Sequence, residues 1–172
     1  MIAIEQLRSD KRLQIPATAV SVGLMLLFPF IVHTLGGPAA GGRWLPLFYV
    51  LIATVMLFHP LVGVLAGLVT PFLNHLITGA PPLSMAVLLA VELVVFALVM
   101  WQMARRWPHF WGAAPLAYLV AKIASTVFLF FIPLLPAPPT QFFLSALTTA
   151  WPGLLVLLLI NFLLIKGMQR VA

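Results

Sequence analysis

Cysteine is absent from the 172-residue chain, which excludes disulfides, thiol catalysis, iron–sulfur clusters and cysteine-based zinc sites. Charge is almost as scarce. Asp, Glu, Lys and Arg make up 7% of the residues, against roughly 25% in soluble domains. Three residues are acidic, and Glu92 is the single one beyond position 10. Hydrophobic residues account for 63% and the mean hydropathy is +1.17. That leaves too little polar surface to coat a globule in water, so the chain reads as an integral membrane protein. The net charge of +6 does not point to nucleic acid, because the basic residues gather at the ends of apolar runs and form no stripe.

Catalytic signatures are missing as well. The chain has no GxSxG, no HExxH, no Walker motif and no acidic cluster for a metal-bound pyrophosphate. Ser84 and Ser145 have no base at a diagnostic spacing. The expectation is therefore a protein that is not an enzyme. Without a nucleotide-binding domain it cannot itself couple ATP to transport. His33 and His75 fall toward one membrane face and His59 and His109 toward the other, with no HxxxH spacing. No metal site and no cofactor are expected.

What is present is a series of long apolar runs. A spanning helix needs about 20 mostly apolar residues, and six segments qualify, at about 16–35, 44–58, 60–77, 84–103, 110–132 and 142–165. The expected fold is all-α, a bundle of six transmembrane helices forming a single membrane domain over 1–172. The second segment is short, so it either tilts inward or begins earlier. The sixth contains Pro152, so it either kinks there or starts near it, with 142–150 in a loop. The N-terminus lacks the order of a signal peptide, and the first apolar run is expected to remain as a helix.

Lysine and arginine set the expected orientation. Arg8, Lys11 and Arg12 precede the first helix, Arg105 and Arg106 follow the fourth, and Lys166 and Arg170 follow the sixth. Six crossings put all of these on one side, so both termini are expected in the cytoplasm. Arg43, in the first outer connection, and Lys122, inside the fifth helix, are the exceptions. The outer connections are Gly-rich at 34–44, a tight turn at 78–82 and Pro-rich at 133–141. They read either as plain connectors or as a lid over an outward-facing pocket.

In lipid, helices meet through small residues. Gly63 and Gly67 on the third helix, and Ala113, Ala117, Ala121 and Ser125 on the fifth, read as packing within the bundle. Ala19 and Gly23 on the first helix leave two readings open: packing within the chain, or a face that receives another membrane subunit.

Polar groups inside the apolar runs are costly and mark function or pairing. At ~1.5 Å per residue, Glu92 lies roughly 12 Å from the outer edge and Lys122 roughly 18 Å from the inner edge. In a core of about 30 Å the two depths coincide. They read as an ion pair joining neighbouring helices, as contacts facing a cavity, or as both. Asn74 and His75 follow Thr70–Pro71 in the outer third of the third helix, where Pro71 frees a carbonyl. Asn74 suits either a polar ligand or a bond to another helix. Trp44, Trp107 and Trp111 mark the membrane interfaces. Trp101, Trp151 and Tyr118 either line a pocket or pack, and Asn161 reads as a hydrogen-bonding link between helices.

The segment HPLVGVLAGLVTPFLNHLITGAPPLSMAVLLAVELVVFAL at 59–98 resembles the substrate-binding S components of energy-coupling factor (ECF) vitamin transporters. The likeness is carried by Gly63, Gly67, Pro71, the TGAPP turn and the helix with Glu92. It implies a subunit of a bacterial or archaeal cell membrane that takes a vitamin or related small molecule from outside. Such a subunit docks on a membrane coupling protein and two ATPase subunits, and topples in the bilayer to release its cargo. The family's docking motif on the first helix is AxxxA; Ala19 and Gly23 are the nearest match, with glycine in the second place. The metal-binding N-terminal arrangement of the nickel and cobalt members is absent. On this resemblance the 34–44 segment is a gate, Arg43 meets a ligand anion, and Lys122 is a cationic contact or the partner of Glu92. Asn74, with its neighbour His75, and Glu92 become polar contacts. Two other classes fit the same architecture: a scaffold like the six-helix membrane protein of bacterial cell-shape complexes (the MreD type), and a self-sufficient small transporter.

Overall fold

A computed structural model describes residues 9–37 and 40–171. Arg8, Pro38 and Ala39, which the topology and gate readings include, lie outside the described residues. Every regular element among the described residues is an α-helix. Among the described residues, six helical spans are long and apolar enough to cross a membrane, as expected for a multi-pass membrane protein.

Helix α1 (Lys11–Gly36) starts where the Asp10 carboxylate accepts the Arg12 amide at 2.9 Å, which satisfies one orphan donor of the first turn. Ala17, Ser21, Met25 and Pro29 recur every four residues and are its buried positions. Most of the rest of the helix, including Ile15 and Val20, is exposed, with Val22 partly buried beside the stripe. A narrow stripe therefore faces protein while the remainder suits lipid. Gly37, at φ 75°, ends the helix in a conformation that a side chain would disfavour.

The second span is broken. A short helix, α2 (Ala40–Trp44), is followed by Leu45 at φ 54° and then by α3 (Pro46–Leu57). Pro46 lacks the amide that would continue a helix, so the chain turns and restarts there. Helix α3 alone covers roughly 18 Å, less than a bilayer core; the span is completed by α2, which begins earlier than residue 44. Apolar on all sides, α3 is buried along nearly its whole length, the behaviour expected of a helix enclosed by others.

Helices α4 (Pro60–Thr78), α5 (Leu83–Arg106), α6 (Ala113–Phe131) and α7 (Pro139–Val171) complete the bundle. Neighbours pack in the order α1, α4, α5, α6, α7, with α2 against α7 and α1, and α3 in the middle touching α1, α4, α5 and α7. The glycines of α4 set the closest approach. A Cβ on Gly67 would come within 3.0–3.3 Å of the Leu93 backbone and Cβ on α5, and one on Gly63 within 2.6 Å of Val55 on α3. On α6, Ala113, Ala117, Ala121 and Ser125 are all buried.

Helix α7 runs without a break through Pro152, so 142–150 is helical and not a loop. At 33 residues it is roughly 50 Å long, more than a bilayer core requires. Gly153 lets it pack tightly: a Cβ there would sit 2.8 Å from the Arg43 carbonyl oxygen. Near the opposite end Asn161 donates to the carbonyls of Trp111 at 2.7 Å and Phe110 at 3.3 Å, tying α7 to the connection between α5 and α6. Phe48 of α3 meets Phe96 and Tyr118 edge to face, with ring centroids 5.0 and 5.2 Å apart. The consequence is a tight core between α3, α5 and α6, with looser space above it at the break between α2 and α3.

Candidate functional site

Glu92 on α5 and Lys122 on α6 meet. Lys122 Nζ is 2.6 Å from Glu92 Oε1, and both residues are buried. Ser125, one turn beyond Lys122 on the same face of α6, places its hydroxyl 2.8 Å from the same Oε1. Thr126 Oγ1 donates to the Lys122 carbonyl at 2.7 Å, which holds that turn of the helix. A buried pair of this kind needs hydrogen bonds beyond its Coulomb attraction to offset desolvation, and Ser125 supplies one.

The pair is not saturated. A lysine ammonium carries three donors, and the Lys122 ammonium has one hydrogen-bond partner among the described residues, Glu92. Its other neighbours are π faces: the Phe142 ring with centroid at 4.8 Å and the Tyr118 ring at 5.7 Å. Both hydrogen bonds to Glu92 fall on Oε1, and Oε2 has no protein partner among the described residues.

Beside the pair lies a cavity of about 470 Å³, within the usual range for small-molecule sites. It runs from mid-bundle to the end that carries the α1–α2, α4–α5 and α6–α7 connections. Glu92, Lys122 and Tyr118 line its inner part, and Gly41, Gly42 and Phe142 lie nearer that end. The break in the second span creates the space: Leu45, Pro46, Leu47 and Phe48 all face it.

Of the candidate residues, Glu92, Lys122 and Asn74 line this one cavity. Arg43 does not. It is exposed, with its guanidinium 5.9 Å from the Trp44 ring centroid, and the glycines just before it form the wall instead. His75 points elsewhere too: its Nδ1 lies 2.8 Å from the Pro81 carbonyl oxygen, which ties α4 to the 78–82 turn. Thr78 reinforces that turn, with Oγ1 2.8 Å from the Ala80 carbonyl oxygen. Ala19 and Gly23 are exposed one turn apart on α1, away from its buried stripe. Tyr118 lines the cavity, whereas Trp151 is exposed and Trp101 lies under Arg105 at 4.9 Å. Among the described residues no group of three or more His, Asp or Glu side chains is placed to hold a metal ion.

Sequence reasoning missed Ser125 as a polar partner and Phe142 as a ring over the ammonium. Ser125 had a usable signal, since it stands three residues after Lys122 and shares its helix face. Phe142 had none, because its proximity depends on how α7 packs against α6. No protein-family model, curated protein or solved structure matches this chain.

Proposed function

We propose that this protein is the substrate-binding subunit of an ECF-type transporter. It captures a vitamin-like small molecule from outside the cell and passes it to partner subunits that supply ATP-driven uptake. The carrying observation is the void of about 470 Å³ lying directly against an incompletely satisfied buried ion pair. A carboxylate and an ammonium placed in a membrane core solely to hold two helices together have no use for open space beside them.

The orientation follows from charge. Lys11, Arg12, Arg105, Arg106, Lys166 and Arg170 all belong to the end of the bundle opposite the cavity. Assigning that end to the cytoplasm by the positive-inside rule opens the cavity outward. The exposed Ala19 and Gly23 on α1 support docking by a membrane coupling protein, since two small residues one turn apart let another helix approach closely. Two ATPase subunits would complete the assembly in a bacterial or archaeal cell membrane. The chain's own part is binding and not catalysis: Lys122 donates to an acceptor on the ligand, Glu92 Oε2 and Asn74 accept or donate at its edge, and Tyr118 and Phe142 cover its faces.

The test is a ligand extraction. The purified protein is denatured and the released small molecules are identified by mass spectrometry. A stoichiometric compound that rebinds the refolded or untreated protein supports the reading. An empty extract would favour a scaffold of the MreD type. Uptake by liposomes containing this chain alone would point to a self-sufficient transporter.

A further inference from the structure

A second hollow, of about 930 Å³, opens on the side of the bundle between α1 and the α4–α5 connection. Leu27 and Phe30 on α1 and Ile77 on α4 line it and are also strongly exposed, so this groove lies on the apolar outer surface that suits lipid. Its lining is almost wholly apolar, in contrast to the cavity at the ion pair.

The two hollows share walls. Pro29, His33, Asn74, Pro81 and Met85 line both, so a partition about one side chain thick separates the groove from Lys122 and Glu92. Two members of that partition stand out by their chemistry. Met85 is an unbranched thioether with three rotatable bonds. The exposed His33 ring has one hydrogen-bonding neighbour among the described residues, the Gly37 carbonyl oxygen at 3.2 Å. A third member is chemically out of place beside lipid. The Asn74 carboxamide oxygen has one long contact among the described residues, from Thr78 Oγ1 at 3.5 Å, and an under-bonded carboxamide at the edge of an apolar groove is costly.

We propose that the ligand of this site is an amphiphile, taken up on the outer side of the membrane and held by the cavity and the groove together. Its polar head occupies the cavity, giving an acceptor to Lys122 and a donor to Glu92 Oε2. A polar linkage passes Asn74, and an apolar tail leaves through the groove between α1 and α4. This rests on the reading of the cavity as a ligand site and narrows its substrate class from vitamin-like molecules in general to those with a long apolar tail. An ordinary phospholipid chain would also fill the groove, but nothing would couple it to Lys122 and Glu92. That coupling is what the experiment reads.

The protein in lipid nanodiscs is exposed to a long-chain fatty amide carrying a photoreactive diazirine near the tail end, irradiated, digested and mapped by mass spectrometry. Labelling is expected in the segments containing Leu27 and Ile77. It should fall at least tenfold in Gly23→Phe, which fills the groove from a position where a Cβ meets nothing within 4 Å, and in Ile77→Trp on the opposite wall. It should fall equally in the double variant Glu92→Gln/Lys122→Met, which leaves no unpaired buried charge; melting temperatures check that each variant is folded. Groove labelling that persists in the double variant identifies bulk lipid and overturns the inference, as does labelling of neither segment. A soluble compound recovered from the denatured protein that binds Gly23→Phe as tightly as the parent overturns the amphiphile and leaves the cavity reading standing. An empty extract together with labelling indifferent to Lys122 removes both.

Discussion

Lys122 Nζ lies 2.6 Å from Glu92 Oε1, and the same two side chains form the inner wall of a cavity. Pairing and ligand contact are therefore not exclusive here. The pair joins α5 to α6, and its remaining hydrogen-bonding capacity faces open space.

Single substitutions should reveal the first role and the double substitution the second. Glu92→Gln or Lys122→Met alone leaves an uncompensated charge in the core and should destabilise by about 3–5 kcal/mol. The double variant should recover most of that while still failing to bind ligand. Denaturant titration of the four proteins in detergent, with a binding measurement on each, checks both halves. A double variant as unstable as the singles would mean the residues act separately.

Ser125→Ala removes the second donor to Glu92 Oε1. A hydrogen bond to a charged group is worth about 1.5–3 kcal/mol, so stability should drop by about that amount and less than in Lys122→Met. Ser125→Thr, which keeps the hydroxyl, separates loss of the bond from a change in packing.

The residues expected from sequence to contact ligand should divide. Asn74→Ala should weaken binding about tenfold, the equivalent of one lost hydrogen bond at about 1.4 kcal/mol. Arg43→Ala, at an exposed position outside the cavity wall, should leave the equilibrium affinity within about threefold. Calorimetry with the compound released from the native protein measures both.

Three glycines should respond in order of the space around them. Gly67→Ala pushes a Cβ toward the backbone of Leu93, which cannot rotate away, and should cost about 1–3 kcal/mol. Gly63→Ala brings a Cβ within 2.6 Å of Val55 Cγ2, on a fully buried β-branched side chain that is stiff at χ1, and should cost at least as much. Gly23→Ala meets nothing within 4 Å and should change stability by no more than about 0.5 kcal/mol. Thermal unfolding of the three variants gives the ranking.

Much of the fold is legible because the membrane imposes it. Lipid offers no hydrogen bonds, so each apolar run must be a helix or part of a closed barrel. Run lengths and the scarcity of charge then count the spans. That Glu92 and Lys122 stand level with each other was readable too, since a helix rises by a constant amount per residue. Less legible was where one helix yields to another. The break at Leu45 and the unbroken course of α7 through Pro152 both depend on packing. Leu45 is buried in its left-handed conformation, and α7 is held at Gly153 against the Arg43 backbone.

The amino-acid sequence by itself determined that this is a six-span helical membrane protein with two opposite charges at matching depth, because hydrophobic length and helical rise are local quantities. Only the tertiary structure decided that a cavity lies beside those charges, that Asn74 reaches it while Arg43 and His75 do not, and that Ser125 and Phe142 complete its inner wall. Those outcomes depend on the rotation of each helix about its own axis. That rotation is set by contacts between side chains far apart in the chain, Phe48 with Phe96 and Tyr118, and Gly67 with Leu93. No single segment contains that information.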